Sequence, residues 1–133
     1  MSTYCTDEQI DTTDTLAREA LEAFSAAAVR RSAAPVTDYE GLRTEAKRQI
    51  LMALAARGIR EGQITDTAPL ELVEVSLTLA NLFQSVGQWS GTIPDVYVLK
   101  SQQYRALYEG QIATVNPRLA QRPTGRSFGW NRG

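Results

Sequence analysis

Apolar residues recur at helical spacing along most of the chain, and the pattern changes from one segment to the next. From about Asp14 to Arg31, Leu16, Ala20, Phe24 and Ala28 fall four apart, with Leu21 beside them. Arg18, Glu19 and Glu22 lie off that stripe, so an amphipathic helix is predicted. Asp14 suits its N-cap, and Arg30–Arg31 suit the negative end of its dipole. Upstream, Thr6 and Gln9 have capping-box spacing, which allows a short extra turn over residues 6–11. Ser32 to Val36, with Pro35, is a short connection.

The second segment is the clearest. Thr37-Asp-Tyr-Glu40 has the form of a capping box, in which the Thr hydroxyl accepts an orphan N–H and Glu40 reaches back. Leu42, Ala46, Ile50, Ala53 and Leu54 make the apolar stripe, with Arg43, Lys47 and Arg48 off it. Arg57-Gly58 supplies the stop, because glycine takes the left-handed conformation that ends a helix. Ile59 to Ala68, containing Gly62, Asp66 and Thr67, is predicted to be a loop. The third helix begins near Pro69, which a first turn tolerates. Its apolar residues, from Leu70 to Val86, surround nearly the whole circumference. Such a helix is either central in its own domain or covered on one side by a neighbouring subunit.

Gly87 to Pro94 is predicted to be a loop in which Trp89 either packs on the third helix or anchors a partner. The fourth helix is expected to start at Asp95 as cap. Tyr97, Ser101, Tyr104 and Tyr108 share one face, and Val96, Leu99, Gln103 and Leu107 share another. The β-branched start at Val96 to Val98 also allows a short strand, and Gly110 is an expected interruption. The fold class is therefore all-α: a small bundle of about four helices over residues 1–115, followed by an extended, non-helical C-terminal arm over 116–133.

Composition narrows the chemistry. A chain of 133 residues, 43% hydrophobic and 22% charged, suits one globular domain. The formal net charge of −1 conceals a gradient. Residues 1–40 carry eight acids and three bases (−5), 41–95 six and five (−1), and 96–133 one and six (+5). The absence of histidine excludes His-based triads and His-bearing zinc sites. Cys5 is the only cysteine, so the chain can form neither an internal disulfide nor a thiolate zinc site. The acidic start has no signal-peptide character, and the apolar stretch from Leu70 to Val86 is interrupted by Glu71, Glu74, Asn81 and Gln84. These features predict a soluble protein with no membrane partner.

No phosphate-binding glycine motif is present, and Ser90 lacks both a nucleophile elbow and a histidine base. Glu71 and Glu74, one turn apart, are expected to form the solvated side of the third helix near its N-terminus. Asp7, Glu8, Asp11 and Asp14 lack the glycine and the distal Glu of a calcium loop. No catalytic residue, metal or cofactor is therefore expected, and the chain is not expected to be an enzyme.

From Asn116 to Gly133 there are four arginines, two prolines, three glycines and no acid. Fully extended, the segment reaches roughly 60 Å. Arg118, Arg122, Arg126 and Arg132 present planar forks suited to carboxylates or phosphates. Phe128 and Trp130, two apart, project to one side of an extended chain. The arm is thus a docking strap with two aromatic anchors, a nucleic-acid tail, or a solubilising tail. The aromatic close argues against the last.

The arrangement resembles the head–tail adaptor (head-completion, or connector) proteins of tailed bacteriophages. The resemblance rests on the acidic start, the helical segments Thr37–Gly58 and Pro69–Val86, the Tyr-bearing helix Val96–Tyr108, and the arm. Within the arm, Arg122-Pro-Thr-Gly-Arg-Ser-Phe resembles adaptor tails of short-tailed phages. It implies a structural virion protein, made in the host cytoplasm and placed at the head–tail junction. There a homo-oligomeric ring, twelve-fold in that family, sits beneath the portal protein. The resemblance also implies docking on the portal through the arm, at Arg118, Arg122, Arg126, Phe128, Trp130 and Arg132. The ring would offer a platform to a tail or neck protein and let packaged DNA pass without sequence-specific binding. Unlike some members, this sequence shows no long β-hairpin pattern. The alternative is a small helical nucleic-acid-binding or regulatory protein using the same basic tail.

Overall fold

The all-α expectation holds. Five α-helices form between Thr3 and Arg118, the residues that the computed structural model describes. They are α1 (Asp7–Thr13), α2 (Ala17–Arg30), α3 (Glu40–Ala56), α4 (Ala68–Val86) and α5 (Val96–Thr114). A 3₁₀ turn over Glu61–Gln63 interrupts the α3–α4 connection.

The short turn anticipated near residue 6 is a helix in its own right. Thr6 Oγ1 accepts the Gln9 N–H, and the Gln9 side chain accepts the Thr6 N–H, so the capping box is complete. This makes five helices where about four were expected. Asp14 then ends α1 rather than capping α2. Its backbone N–H bonds to Ile10, and its side chain accepts the Leu16 N–H.

A second correction concerns α3. The Thr37 capping box does not form, and α3 starts at Glu40 with Tyr39 as N-cap and no side-chain cap bond. Tertiary anchoring of Tyr39 decides this. Its ring is fully buried, its hydroxyl donates to Asp11 at 2.7 Å, and the Arg18 guanidinium lies 4.9 Å from the ring centre. Asp38, rather than Thr37, accepts the Glu40 N–H. At the other end Gly58 has φ +84, the left-handed stop expected of it.

α4 is the central helix. It packs against α1, α2, α3 and α5, and eleven of its residues are buried. On one side Val75, Leu79 and Phe83 meet Ile10, Ala17, Leu21 and Tyr39. On another, Leu70, Val73 and Leu77 meet Ile50, Leu54, Ile59 and Tyr108. Each large aliphatic side chain so buried contributes about 1.5–3 kcal/mol. Leu72 is the exception, 65% exposed.

The α4–α5 connection holds a two-residue antiparallel ribbon, β1 (Trp89–Ser90) with β2 (Ile93–Pro94), turning through Gly91 at φ +64. Trp89 therefore stands out from the body at 58% exposure rather than packing on α4. Asp95 caps α5 as expected, accepting the Val98 N–H. The β-branched start is helical, and Gly110 does not interrupt α5, which continues to Thr114. Packing overrides both local preferences: Phe83 stacks with Tyr97 and Tyr104, while Ile112 and Val115 pack beside Tyr108.

Candidate docking surface

The arm is the chemically distinctive segment, and Arg118 is the one of its six proposed contact residues within the described region. Arg118 is exposed, and its backbone N–H and Nε both donate to Asn116 Oδ1. Arg122, Arg126, Phe128, Trp130 and Arg132 lie outside the described residues.

The root of the arm is held by groups that sequence patterning did not single out. The Pro117 carbonyl accepts the N–H groups of Thr65 and Asp66 at 3.1 and 2.7 Å. Arg57 Nη1 donates to the Ile112 and Val115 carbonyls at 2.8 and 2.7 Å. The end of α5 is thereby tied to the α3–α4 connection, and Pro117 is buried. In sequence, Arg57 is indistinguishable from an ordinary basic C-terminus of a helix. Only the return of the chain past α3 gives it carbonyls to bind.

The second fitted feature is the outer side of α5. Val96, Leu99 and Leu107 are 49%, 47% and 50% exposed, and the exposed Gln103 and Ala106 lie between them. The stripe carries no charge. The opposite side of α5 is occupied: Lys100 and Tyr104 both donate to Asp14 Oδ2 at 2.8 Å, and Tyr97 donates to Glu19. Asp14 is buried, which works against ionisation. The Lys100, Leu16 and Tyr104 bonds outweigh that and hold its carboxyl below the usual range. Burial and the Asp14 carboxylate push the Tyr104 hydroxyl up.

Beside the stripe, between α4 and α5, lies a cavity of about 320 Å³ lined by Gln84, Val98, Ser101, Gln102 and Arg105. Arg105 Nη2 donates to Asn81 Oδ1 at 3.0 Å and Gln84 Oε1 at 3.5 Å, both neutral acceptors.

Glu74 corrects a further expectation. It is fully buried, and its Oε1 accepts the Tyr4 and Cys5 N–H groups at 3.0 and 2.8 Å. Arg43 donates to the Cys5 carbonyl and to Thr3 Oγ1, and pairs with Asp7. Glu74 is thus a clamp for the N-terminal segment and not part of a solvated acidic side. Glu71 is half-buried and accepts from Gln9 Nε2. Burial and the Glu74 hydrogen bond push the Cys5 thiol well up, away from thiolate chemistry.

Among the described residues no group of three His, Cys, Asp or Glu side chains is placed to hold a metal. No helix among them is long and apolar enough to cross a membrane. The geometry offers a segment pinned at Val115 and Pro117, an uncharged aliphatic stripe on α5 and an arginine-bearing cavity. Compared with known protein families, curated proteins and solved structures, the chain matches none.

Proposed function

We propose that this protein is a structural adaptor of a tailed-phage virion, not an enzyme. It forms a ring below the portal, grips the portal with its C-terminal arm, and offers the outer ring surface to a tail or neck protein. The observation that carries this reading is the pinned root of the arm. Thr65, Asp66 and Arg57 fix where the chain leaves the body, so the fifteen residues after Arg118 start from a defined point. Fifteen residues have a maximum extended length of roughly 50 Å at about 3.3 Å each, enough for the arm in this reading to engage a surface far outside the helical body. The exposed α5 stripe and Trp89 add apolar surface that a subunit in an assembly would cover.

In this reading Phe128 and Trp130 are the buried anchors, and Arg118, Arg122, Arg126 and Arg132 pair with portal carboxylates. The test is co-sedimentation of the full chain with portal rings encoded in the same genome. Removing residues 117–133 is expected to abolish binding while leaving a helical circular-dichroism spectrum. Normal portal binding by the truncated chain overturns the proposal. Salt-dependent DNA binding by the isolated chain, lost when the four arm arginines become alanine, gives the arm to nucleic acid instead.

A further inference from the structure

Arg105, whose hydrogen-bonded neighbours are neutral amides, lines the cavity between α4 and α5. Arg105 has five N–H donors, and the hydrogen bonds it makes, to Asn81 and Gln84, engage Nη2 alone. It has no carboxylate partner among the described residues. Asn81 Nδ2 is buried beside it without a hydrogen-bond partner there. The cavity lining contains no acid and no second cation. A single planar guanidinium among amides matches the charge and shape of one carboxylate. A nucleic-acid backbone would ask for several cations in a row.

The opposite flank of the molecule carries the complementary features. On α4, Val75, Leu79 and Leu82 belong to the core cluster shared with α2. At 100° per residue, Asn81 and Gln84 point roughly the other way, so the Arg105 cavity lies across α4 from α2. The outward face of α2 presents Glu22, Ala26 and Val29, spaced four and three apart and all exposed, with Ala23 beside them. Glu22 has no ion-pair partner among the described residues. One flank thus offers a carboxylate on a helix of small residues. The other offers an arginine cavity lined on α5 by Val98, Ser101, Gln102 and Arg105, with the uncharged stripe further round the same helix. Two different surfaces on opposite flanks suit a head-to-tail contact, which gives a ring where its rotation closes and a filament where it does not.

We propose that the Arg105 cavity of one copy receives the Glu22 carboxylate of a second copy. The Glu22–Ala26–Val29 face of that second copy then covers the uncharged α5 stripe. The choice of a second copy as occupant rests on the ring reading above; the carboxylate rests on the cavity itself. Charge complementarity selects the register, and the small side chains of α2 let the two helices approach closely.

The test is sedimentation velocity on the full chain at low salt, from micromolar to millimolar concentration, with Arg105→Glu, Glu22→Arg and the double swap. Circular dichroism and thermal midpoints check folding, and Arg105→Gln and Glu22→Gln serve where a reversal fails to fold. The wild type is expected to self-associate, each single change to weaken association by at least about tenfold, and the double swap to recover most of it. A wild type that stays monomeric throughout, single variants that associate normally, or a double swap without recovery each overturn the proposal. A monomeric chain whose Arg105→Glu variant loses a portal or tail-protein contact assigns the cavity to another protein and overturns the second-copy occupant. The full-length Phe128→Ala/Trp130→Ala variant separates the two readings. It is expected to self-associate normally while failing to dock on the portal.

Discussion

Lys100 Nζ lies 2.8 Å from Asp14 Oδ2, although 86 residues separate the two in sequence. The same oxygen takes the Tyr104 hydroxyl, while Asp14 Oδ1 takes the Leu16 N–H. One buried carboxylate therefore joins the α1–α2 corner to α5. Asp14→Ala is expected to lower stability by about 3 kcal/mol, because it leaves an ammonium and a hydroxyl half-buried without their acceptor. Lys100→Met, which removes the charge but keeps the apolar stem, should cost less. Urea unfolding of the two variants checks the order.

The pH dependence follows from the same corner. The Asp14 carboxyl is held below its ordinary value, so its contribution is present above about pH 4 and is lost as pH falls through the lowered value. Burial and Glu19 push the Tyr97 hydroxyl up to about 12. Its neutral form is favoured in the fold, so that contribution holds below about pH 10 and is lost as pH rises beyond. A urea midpoint measured against pH should show a plateau with two falling limbs. Asp14→Asn is expected to flatten part of the acid limb, which Asp11 shares, and to soften the alkaline limb through Tyr104, whose hydroxyl loses a charged acceptor.

Glu74 makes a separate prediction about the N-terminal segment. Glu74→Gln keeps an oxygen for the Tyr4 and Cys5 N–H groups and is expected to be mild. Glu74→Leu leaves two backbone donors unsatisfied and should cost about 2–4 kcal/mol. Hydrogen exchange at Tyr4 and Cys5 should quicken in the Leu variant well before the core amides of α4 do. Equal protection in both variants would show that the carboxylate does not hold the segment.

Gly87 is a place where a single methyl matters. Its φ is an ordinary −69, yet an added Cβ would sit 2.8 Å from the Phe83 carbonyl oxygen and 2.9 Å from Val98 Cγ2. Gly87→Ala is therefore expected to destabilise by about 1–3 kcal/mol through overpacking where α4 meets α5. Gly110→Ala meets nothing within 4 Å and lies inside α5, so it should stabilise by about 0.5–1 kcal/mol. Thermal melts of the pair test both signs at once.

Arg57→Ala should release the arm root with little global cost, about 1–2 kcal/mol for two carbonyl bonds exposed to solvent. The sensitive reading is local: faster exchange at Thr65 and Asp66, whose N–H groups are bonded to the Pro117 carbonyl.

Helix existence was legible in the spacing of apolar residues, because burial against any neighbour imposes the 3.6-residue period. Leu42–Ala46–Ile50–Leu54, the all-round apolar α4 and the tyrosine face of α5 belong to this class. Termination by Gly58 and capping by Asp95 and Thr6 were legible too, since those bonds close within four residues. What depends on chain segments meeting was not legible. Thr37 and Asp14 carry good local cap chemistry. Yet the start of α3 is set by where Tyr39 finds Asp11 and Arg18, and Asp14 is drawn to Lys100 and Tyr104.

The same division holds for the functional surfaces. Residue types and spacing alone establish that the chain is helical, that His-based chemistry is excluded, and that its basic C-terminal segment carries arginines and two late aromatics. Glu74 and Glu71 differ by a single turn, and no local signal separates the fully buried clamp from its half-buried neighbour. Only the position of the N-terminal segment over α4 does so. Likewise Arg105 is one arginine among several until α4 places Asn81 and Gln84 beside it and leaves a cavity in front. Hydrophobic period is a property of one segment and can be read from it. A polar group's partner is a property of two segments, and is settled only when they pack.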